Sequence, residues 1–268
     1  GRFAQTMKSA TVKSDGLLLV TAAIWGFAFV AQRVGMDHVG PFTYNGVRFA
    51  LGALTLAPLL LMRTRSSDAI PVPMTRRGYI CGGGALGVVL FAAASLQQVA
   101  LLYTTAGKAG FITGLYVVVV PILGLFWGQR PSAGTWAGAG LAAAGLYLLS
   151  VTASFRMEYG DGLVLVSALV WSLQVLLVAW LSPRTRPVGL AFYQFSVCAV
   201  LSLMTAVLFE PLEWAGLVAA AGPIFYGGVL SVGVAYTLQV VAQRDAHPAH
   251  ASILMSLEAV FAAFGGWM

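Results

Sequence analysis

Apolar runs long enough to cross a lipid bilayer dominate this sequence. The hydrocarbon core of a bilayer is about 30 Å thick and requires roughly 20 apolar residues in helical form. Such runs occur at 16–35, 42–62, 79–100, 107–128, 134–152, 161–181, 188–209, 217–242 and 249–268. Because they are continuously apolar rather than alternating, they predict helices and not the strands of a membrane barrel. We therefore expect an all-α, polytopic membrane helix bundle.

Charge is too scarce for a soluble globule. The 15 Lys/Arg and 9 Asp/Glu make up 9% of the 268 residues, against about 25% in an ordinary soluble domain. This composition excludes a cytosolic enzyme, a nucleic-acid binder and a disordered tail. Cys81 and Cys198 both lie in apolar runs and indicate neither a disulfide framework nor a metal site.

No sequence motif points to a catalytic centre. We find no phosphate-binding loop, no clustered His/Cys pattern and no nucleophile elbow. The sequence therefore predicts no enzymatic activity, no cofactor and no metal. Its expected partners are the lipid bilayer and a small-molecule solute, without nucleic acid, and its oligomeric state is left open.

The basic residues predict the orientation of the chain. If the tail at 1–14 is cytoplasmic, the loops on that side carry eleven Lys/Arg and those on the other side carry two. Basic residues are enriched in cytoplasmic loops of membrane proteins. We therefore expect a multi-pass protein with a cytoplasmic N-terminus.

The two halves of the chain resemble each other. An offset of 146 residues aligns DGLLLVTAAIW at 15–25 with DGLVLVSALVW at 161–171. An offset of 142 aligns LQQVA at 96–100 with LQVVA at 238–242. The matches predict a first repeat at 15–152, an external linker at 153–160 and a second repeat at 161–268.

If each repeat contains an odd number of spans, the second repeat enters the membrane from the opposite side and has inverted topology. Five spans per repeat predict ten helices, of which nine fall within this sequence; the fifth helix of the second repeat is expected beyond residue 268. Inverted repeats are typical of secondary transporters that bind their solute near the bilayer midplane. The alternative is a duplicated bundle with a purely structural purpose.

Charged residues inside the predicted spans are the first candidates for solute binding, because a buried charge is costly in lipid. Glu258 lies eleven residues past His247, roughly 16 Å along a helix. Its functional role would be to attract the amino group of a solute or to carry a proton. The alternative is a structural residue that braces two helices. Arg48 either grips a carboxylate or extends to the headgroups. Lys108 and its repeat counterpart His250 are candidates for a charge or proton role, or are interfacial.

Aromatic and amide side chains complete the predicted site. An amide that faced lipid would leave its donors unpaired, so we expect the amides to face the interior. The aromatic residues either contact the solute or pack the helix interface. The candidates are Trp25, Tyr44, Gln98, Tyr116, Trp171, Gln194 and Gln239.

Four segments resemble the drug/metabolite transporter superfamily, specifically its EamA-type ten-helix branch. They are AIWGFAFVAQRVG at 23–35, RFALGAL at 48–54, TTAGKAGFITGLYVVVVPILG at 104–124 and HPAHASILMSLEAVFAAFGGW at 247–267. The resemblance implies a transporter of the bacterial inner membrane. The aromatic amino acid exporters called YddG are among the most similar in kind, which implies an amino acid as the solute.

The leading functional hypothesis is a secondary exporter of small metabolites, amino acids in particular, that works by alternating access. Arg48 and Glu258 match the two charged ends of a zwitterion. The alternatives are a multidrug, organic-anion or sugar-phosphate carrier on the same fold, a passive channel, or a membrane scaffold without flux.

Overall fold

The computed structural model describes residues 2–61, 74–150 and 158–267, and side chains within these ranges except at 2–11 and 149–150. Within these ranges the chain forms helices and short loops, with no strand. This confirms the predicted helical bundle. Parts of two predicted connections, residues 62–73 and 151–157, lie outside the described residues.

Thirteen α-helices form the described chain. In the first half they are α1 (Arg2–Gly35), α2 (Pro41–Leu61), α3 (Arg76–Ala100), α4 (Ala106–Gly114), α5 (Tyr116–Phe126) and α6 (Ala133–Ser150). In the second half they are α7 (Tyr159–Leu181), α8 (Pro187–Phe209), α9 (Trp214–Ala219), α10 (Ala221–Phe225), α11 (Thr237–Ala242), α12 (Pro248–Met255) and α13 (Glu258–Trp267). A 3₁₀ turn (Ser182–Arg184) follows α7, and a π-helix (Tyr226–Tyr236) joins α10 to α11.

Eight helical segments among the described residues are long and apolar enough to cross a membrane. The predicted fifth span forms a helix, α6, but it is not one of the eight. The run predicted at 217–242 is divided: α9 is a separate short helix, and the crossing segment is Ala221–Ala242.

Two spans that read as continuous in the sequence are interrupted halfway. The segment Ala106–Phe126 breaks at Leu115, between α4 and α5. The last span breaks between α12 and α13. Gly114, a poor helix former, ends α4; the Ser256 hydroxyl donates to the Ile253 carbonyl at 2.8 Å and competes with the helical ladder.

The two interruptions are equivalent under the 142-residue offset. At the first, Leu115 N donates to Ile112 O at 3.1 Å and Val118 N donates to Leu115 O at 3.0 Å. At the second, Leu257 N donates to Leu254 O at 3.3 Å, and Val260 N donates to the Leu257 carbonyl at 3.0 Å. Both breaks thus use the same tightened, three-residue hydrogen bonds.

Side-chain bonds between the halves recur at the same offsets. The Thr21 hydroxyl of α1 donates to the Ala235 carbonyl at 3.2 Å. The Ser167 hydroxyl of α7 donates to the Ala93 carbonyl at 2.9 Å. Ser167 is 146 residues after Thr21, and Ala235 is 142 residues after Ala93. One bond in each direction therefore ties the first helix of each half to the other half.

Close backbone approach brings the two halves together at the centre. A Cβ on Gly52 of α2 would lie 2.2 Å from Val232 Cγ1 in the π-helix, and one on Gly26 of α1 would lie 2.6 Å from the Glu258 carbonyl oxygen. Phe49 of α2 and Phe195 of α8, which are repeat equivalents, pack with ring centroids 6.2 Å apart. Without a hydrophobic drive in lipid, helices associate through such close packing.

A carboxylate joins α8 to the beginning of α2. Glu210, just past the end of α8, accepts hydrogen bonds from Phe42 N at 2.8 Å, Thr43 N at 2.7 Å and Thr43 Oγ1 at 2.7 Å. A negative charge at this place satisfies free N–H groups and complements the helix dipole.

We predict that Glu210→Gln destabilises the protein by about 1–2 kcal/mol, the cost of losing a helix cap. The apparent melting temperature of the purified protein in detergent should fall. Glu213→Gln is the matched control, since Glu213 makes no capping bond. Equal shifts in the two variants would contradict the capping role of Glu210.

Candidate functional site

A cavity of about 30 Å³ lies between the two helix interruptions. A space of this size holds roughly two water molecules. Its walls combine aromatic rings, amides, one acidic and one basic side chain, and come from both halves of the chain. The polar and aromatic lining residues are Trp25, Phe29, Gln32, Arg48, Gln97, Thr113, Tyr116, Trp171, Gln174, Ser231, Tyr236, Gln239 and Glu258.

Each helix interruption contributes two residues to the cavity. Thr113 and Tyr116 flank the break between α4 and α5, and Met255 and Glu258 flank the break between α12 and α13. The two pairs are equivalent under the 142-residue offset. The interruptions therefore face each other across the cavity with matching backbones and different side chains.

Glu258 is a buried carboxylate at the first position of α13. Its side chain is 3% exposed, and Oε1 has no hydrogen-bond partner among the described residues. Within the same residues, no Lys, Arg or His nitrogen lies within 4.0 Å of its carboxylate. The sequence placed it near mid-span, and the structure points it into the cavity.

Arg48 is the cationic counterpart in the same cavity. It is 1% exposed, so it does not extend to the headgroups. Its Nε donates to Asn45 Oδ1 at 3.0 Å, and its guanidinium lies 4.9 Å from the Phe49 ring centroid and 5.5 Å from that of Tyr44. In the described part of the chain no carboxylate lies within 4.0 Å of it.

Tyr236, at the end of the π-helix, is the centre of an aromatic cluster. Its ring centroid lies 4.5 Å from that of Trp25 and 5.9 Å from that of Trp171, which it stacks. The indole N–H of Trp25 donates to the Ser231 carbonyl at 3.2 Å, which fixes the orientation of this ring. The sequence analysis missed Tyr236 because its repeat equivalent is Ala94, so comparing the halves gives no signal.

Two amide pairs lie on the cavity wall, one in each half. Gln97 Nε2 donates to Gln32 Oε1 at 3.4 Å, while Gln97 Oε1 accepts from Trp171 Nε1 at 2.8 Å. Gln174 and Gln239 exchange two bonds, of 3.4 and 3.2 Å. Both pairs span 65 residues and are related by the 142-residue offset. Sequence reasoning identified the equivalence of Gln97 and Gln239 but selected only Gln239 for the site.

Three predicted site residues do not line the cavity. The Tyr44 hydroxyl instead donates to the Pro223 carbonyl at 2.9 Å. Gln98 is fully buried beside the cavity wall, and its Nε2 reaches the Gln32 carbonyl at 3.5 Å. Gln194 is buried in α8, and neither polar atom of its amide has a hydrogen-bond partner among the described residues.

Lys108 and His250 contact carboxylates at opposite ends of the bundle instead of entering the cavity. Lys108 Nζ lies 3.3 Å from Glu158 Oε1 and 3.5 Å from Asp161 Oδ2. His250 Nε2 lies 2.9 Å from Asp15 Oδ1. Since Asp15 and Asp161 are equivalent under the 146-residue offset, the two ends are closed by matching pairs, each joining one half to the other.

The Gln174–Gln239 pair allows a test of how this wall is stabilised. Gln239→Leu leaves the buried Gln174 amide unpaired and should cost about 1–3 kcal/mol, whereas removing both amides should cost less. We therefore expect the double variant Gln174→Leu/Gln239→Leu to melt at a higher temperature than Gln239→Leu alone.

A control pair defines the additive case. Among the described residues, Thr205 bonds only within its own helix, to Leu201 O at 2.8 Å. Thr205→Val and Gln174→Leu therefore share no partner and should combine additively. If the two glutamine changes also combine additively, the amides do not depend on each other.

The fold and the site together define a class: a polytopic helical membrane protein with a cavity, lined by aromatic and polar side chains, between two interrupted helices, an arrangement found in secondary transporters. Comparison with known sequences agrees. The sequence pattern of the EamA-like transporter family matches residues 12–151 and, a second time, residues 158–268. This chain belongs to the EamA-like transporter family.

Individual relatives span most of the chain. A protein of Archaeoglobus fulgidus named "Uncharacterized transporter" is 31% identical over 249 residues, which cover 92% of this chain and 74% of the relative. "Uncharacterized transporter YoaV" of Bacillus subtilis is 21% identical over 267 residues, and the match covers 94% of this chain and 87% of the relative. "Uncharacterized inner membrane transporter YedA" of Escherichia coli is 23% identical over 232 residues, and the match covers 81% of this chain and 71% of the relative.

A solved crystal structure shares the fold. It matches with a TM-score of 0.72 at 19% identity, covering 95% of this chain and 86% of that one. At this identity the likeness establishes the architecture alone. The protein is a multi-pass membrane transporter by family, and its substrate is named by none of these relatives.

Proposed function

We propose that this protein is a secondary transporter that exports small metabolites, amino acids in particular, by alternating access. The observation that carries the proposal is the pair of buried ionisable side chains, the base Arg48 and the acid Glu258, that line one cavity without a salt bridge to each other or to another charged group among the described residues. An amino acid carries the complementary charges, a carboxylate and an ammonium group.

The paired contacts support two inverted repeats, 15–152 and 161–268, as the basis of transport. The helix interruptions, the amide pairs and the carboxylate contacts of Lys108 and His250 all recur at offsets of 142 or 146 residues. Two halves of opposite orientation supply two similar states, one open to each side.

The small cavity supports a carrier over a passive channel. At about 30 Å³ the cavity is smaller than an amino acid, and polar contacts join the halves at both ends. An amino acid would have to widen this space, which fits a carrier whose halves move apart at one end. We place the protein in the bacterial inner membrane with a cytoplasmic N-terminus, in keeping with the basic loops and with the name of YedA.

Counterflow separates this proposal from its alternatives. Liposomes carrying the protein and preloaded with unlabelled amino acids should accumulate the labelled amino acid faster than empty ones. A channel gives flux without this trans-stimulation. Flux of hydrophobic cations or phosphate esters, with none of any amino acid, would overturn the substrate assignment in favour of a multidrug or organic-anion carrier.

We predict that Glu258→Gln and Arg48→Gln each reduce this counterflow by at least about tenfold, as expected when one charged partner of the solute is lost. Both variants should keep the elution profile of the unmodified protein, since neither charge is bridged by another. Asp37→Asn is the control, because Asp37 pairs with Arg33 on the exposed surface. Unchanged counterflow in Glu258→Gln would remove Glu258 from the site.

A further inference from the structure

Three buried oxygen atoms that make no close hydrogen bond lie where the two helix interruptions meet. They are Thr113 Oγ1, Tyr116 Oη and Glu258 Oε1; none has a hydrogen-bond partner within 3.5 Å among the described residues, although the Tyr116 hydroxyl and the Glu258 carboxyl group are close enough to interact. Each side chain is 3% exposed, and all three line the same cavity. Buried polar atoms are almost always paired in proteins, so three orphans in one small cavity point to a ligand.

The positions of these residues bring them together. Thr113 and Tyr116 are three residues apart around the first break, and Tyr116 interacts directly with Glu258 across the cavity. Gly110 and Gly114 let α4 pack against Ala262 and Ala259 of α13, which keeps the two interruptions close. The oxygens therefore belong to one subsite built from both halves of the chain.

The chemistry of the three oxygens selects the ligand. A carboxylate accepts hydrogen bonds, and a hydroxyl can also accept them, whereas a primary ammonium carries a positive charge and three N–H donors. An ammonium group therefore satisfies all three oxygens and neutralises Glu258. The group also fits the size of the cavity, which holds roughly two waters.

We propose that Thr113, Tyr116 and Glu258 form a subsite for a primary ammonium group. The solutes of this protein are then primary amines, and analogues whose nitrogen is fully methylated bind weakly. This inference rests on the proposed function and specifies its substrate class. A site built to hydrogen-bond its ligand strongly rejects analogues that lack the donors, because its own polar groups are then left unpaired. Tetramethylammonium keeps the charge but has no N–H donor.

The test measures ligand binding to the purified protein and not transport. A negative result for the subsite can therefore be distinguished from a negative result for the proposed transport function. The full chain is purified in detergent, and its melting temperature is measured in methylammonium chloride, tetramethylammonium chloride and sodium chloride at matched ionic strength. We expect methylammonium alone to raise the melting temperature in a concentration-dependent way, since a ligand that binds the native state stabilises it.

Variants assign the effect to the three oxygens. Thr113→Val and Tyr116→Phe should each weaken the apparent affinity for methylammonium about tenfold, and Glu258→Gln should abolish stabilisation. Thr237→Val is the matched control, because Thr237 Oγ1 is also buried and unpaired but lies outside the cavity lining. The melting temperature of each variant without ligand reports whether it has folded.

Three results would overturn the subsite. Equal stabilisation by tetramethylammonium would show that charge rather than N–H donation is recognised. Equal stabilisation by sodium would indicate a metal-cation site. An undiminished methylammonium effect in folded Thr113→Val and Tyr116→Phe would place the ligand elsewhere, whether or not amino acid counterflow is observed.

Discussion

Lipid offers no hydrogen-bond partner to a peptide group, and this constraint governs where a membrane helix can be interrupted. The chain interrupts two spans, at Leu115 and at Leu257, and in both it keeps the backbone N–H groups paired through three-residue bonds. The interior sides of both breaks line the cavity. The site therefore lies where the helical ladder is locally reorganised, and the rest of the bundle encloses it.

The two halves share a backbone plan but differ in side-chain chemistry. Tyr116 corresponds to Glu258, Arg48 corresponds to Gln194, and Lys108 corresponds to His250. Similar backbones can supply two similar states, as alternating access requires. The differences place one acidic and one basic side chain in a single cavity. We propose that the duplication provides the movement and that the departures from it provide the selectivity.

Much of this fold could be predicted because hydropathy and self-similarity are properties of the sequence. Continuous apolar runs predicted the helices, the repeat offset drew attention to Trp25 and Trp171, and a charged residue within an apolar span drew attention to Glu258; all three line the cavity. Hydropathy alone did not predict the interruptions, because both spans are apolar enough overall to cross a membrane despite polar residues such as Ser256 and Glu258 at the second break.

The remaining misses have a common physical cause. Gln97 and Gln98 are adjacent and both buried, so apolar periodicity could not decide which one faces the cavity. Tyr44 is one turn from Arg48, but the carbonyl of Pro223 engages its hydroxyl. Tyr236 enters the cavity from a π-helix whose repeat equivalent is the regular helix α3. Such choices depend on tertiary packing.

Our central proposal is that the two halves are inverted with respect to each other, and the sidedness of α1 and α7 tests it most directly. Single cysteines replace the exposed Lys13 or the exposed Tyr159 after Cys81 and Cys198 are changed to serine. A membrane-impermeant thiol reagent is then applied to intact cells and to inverted vesicles. The account predicts that the cysteine at 159 reacts in cells and the one at 13 reacts only in inverted vesicles. Reaction of both from the same side would contradict it.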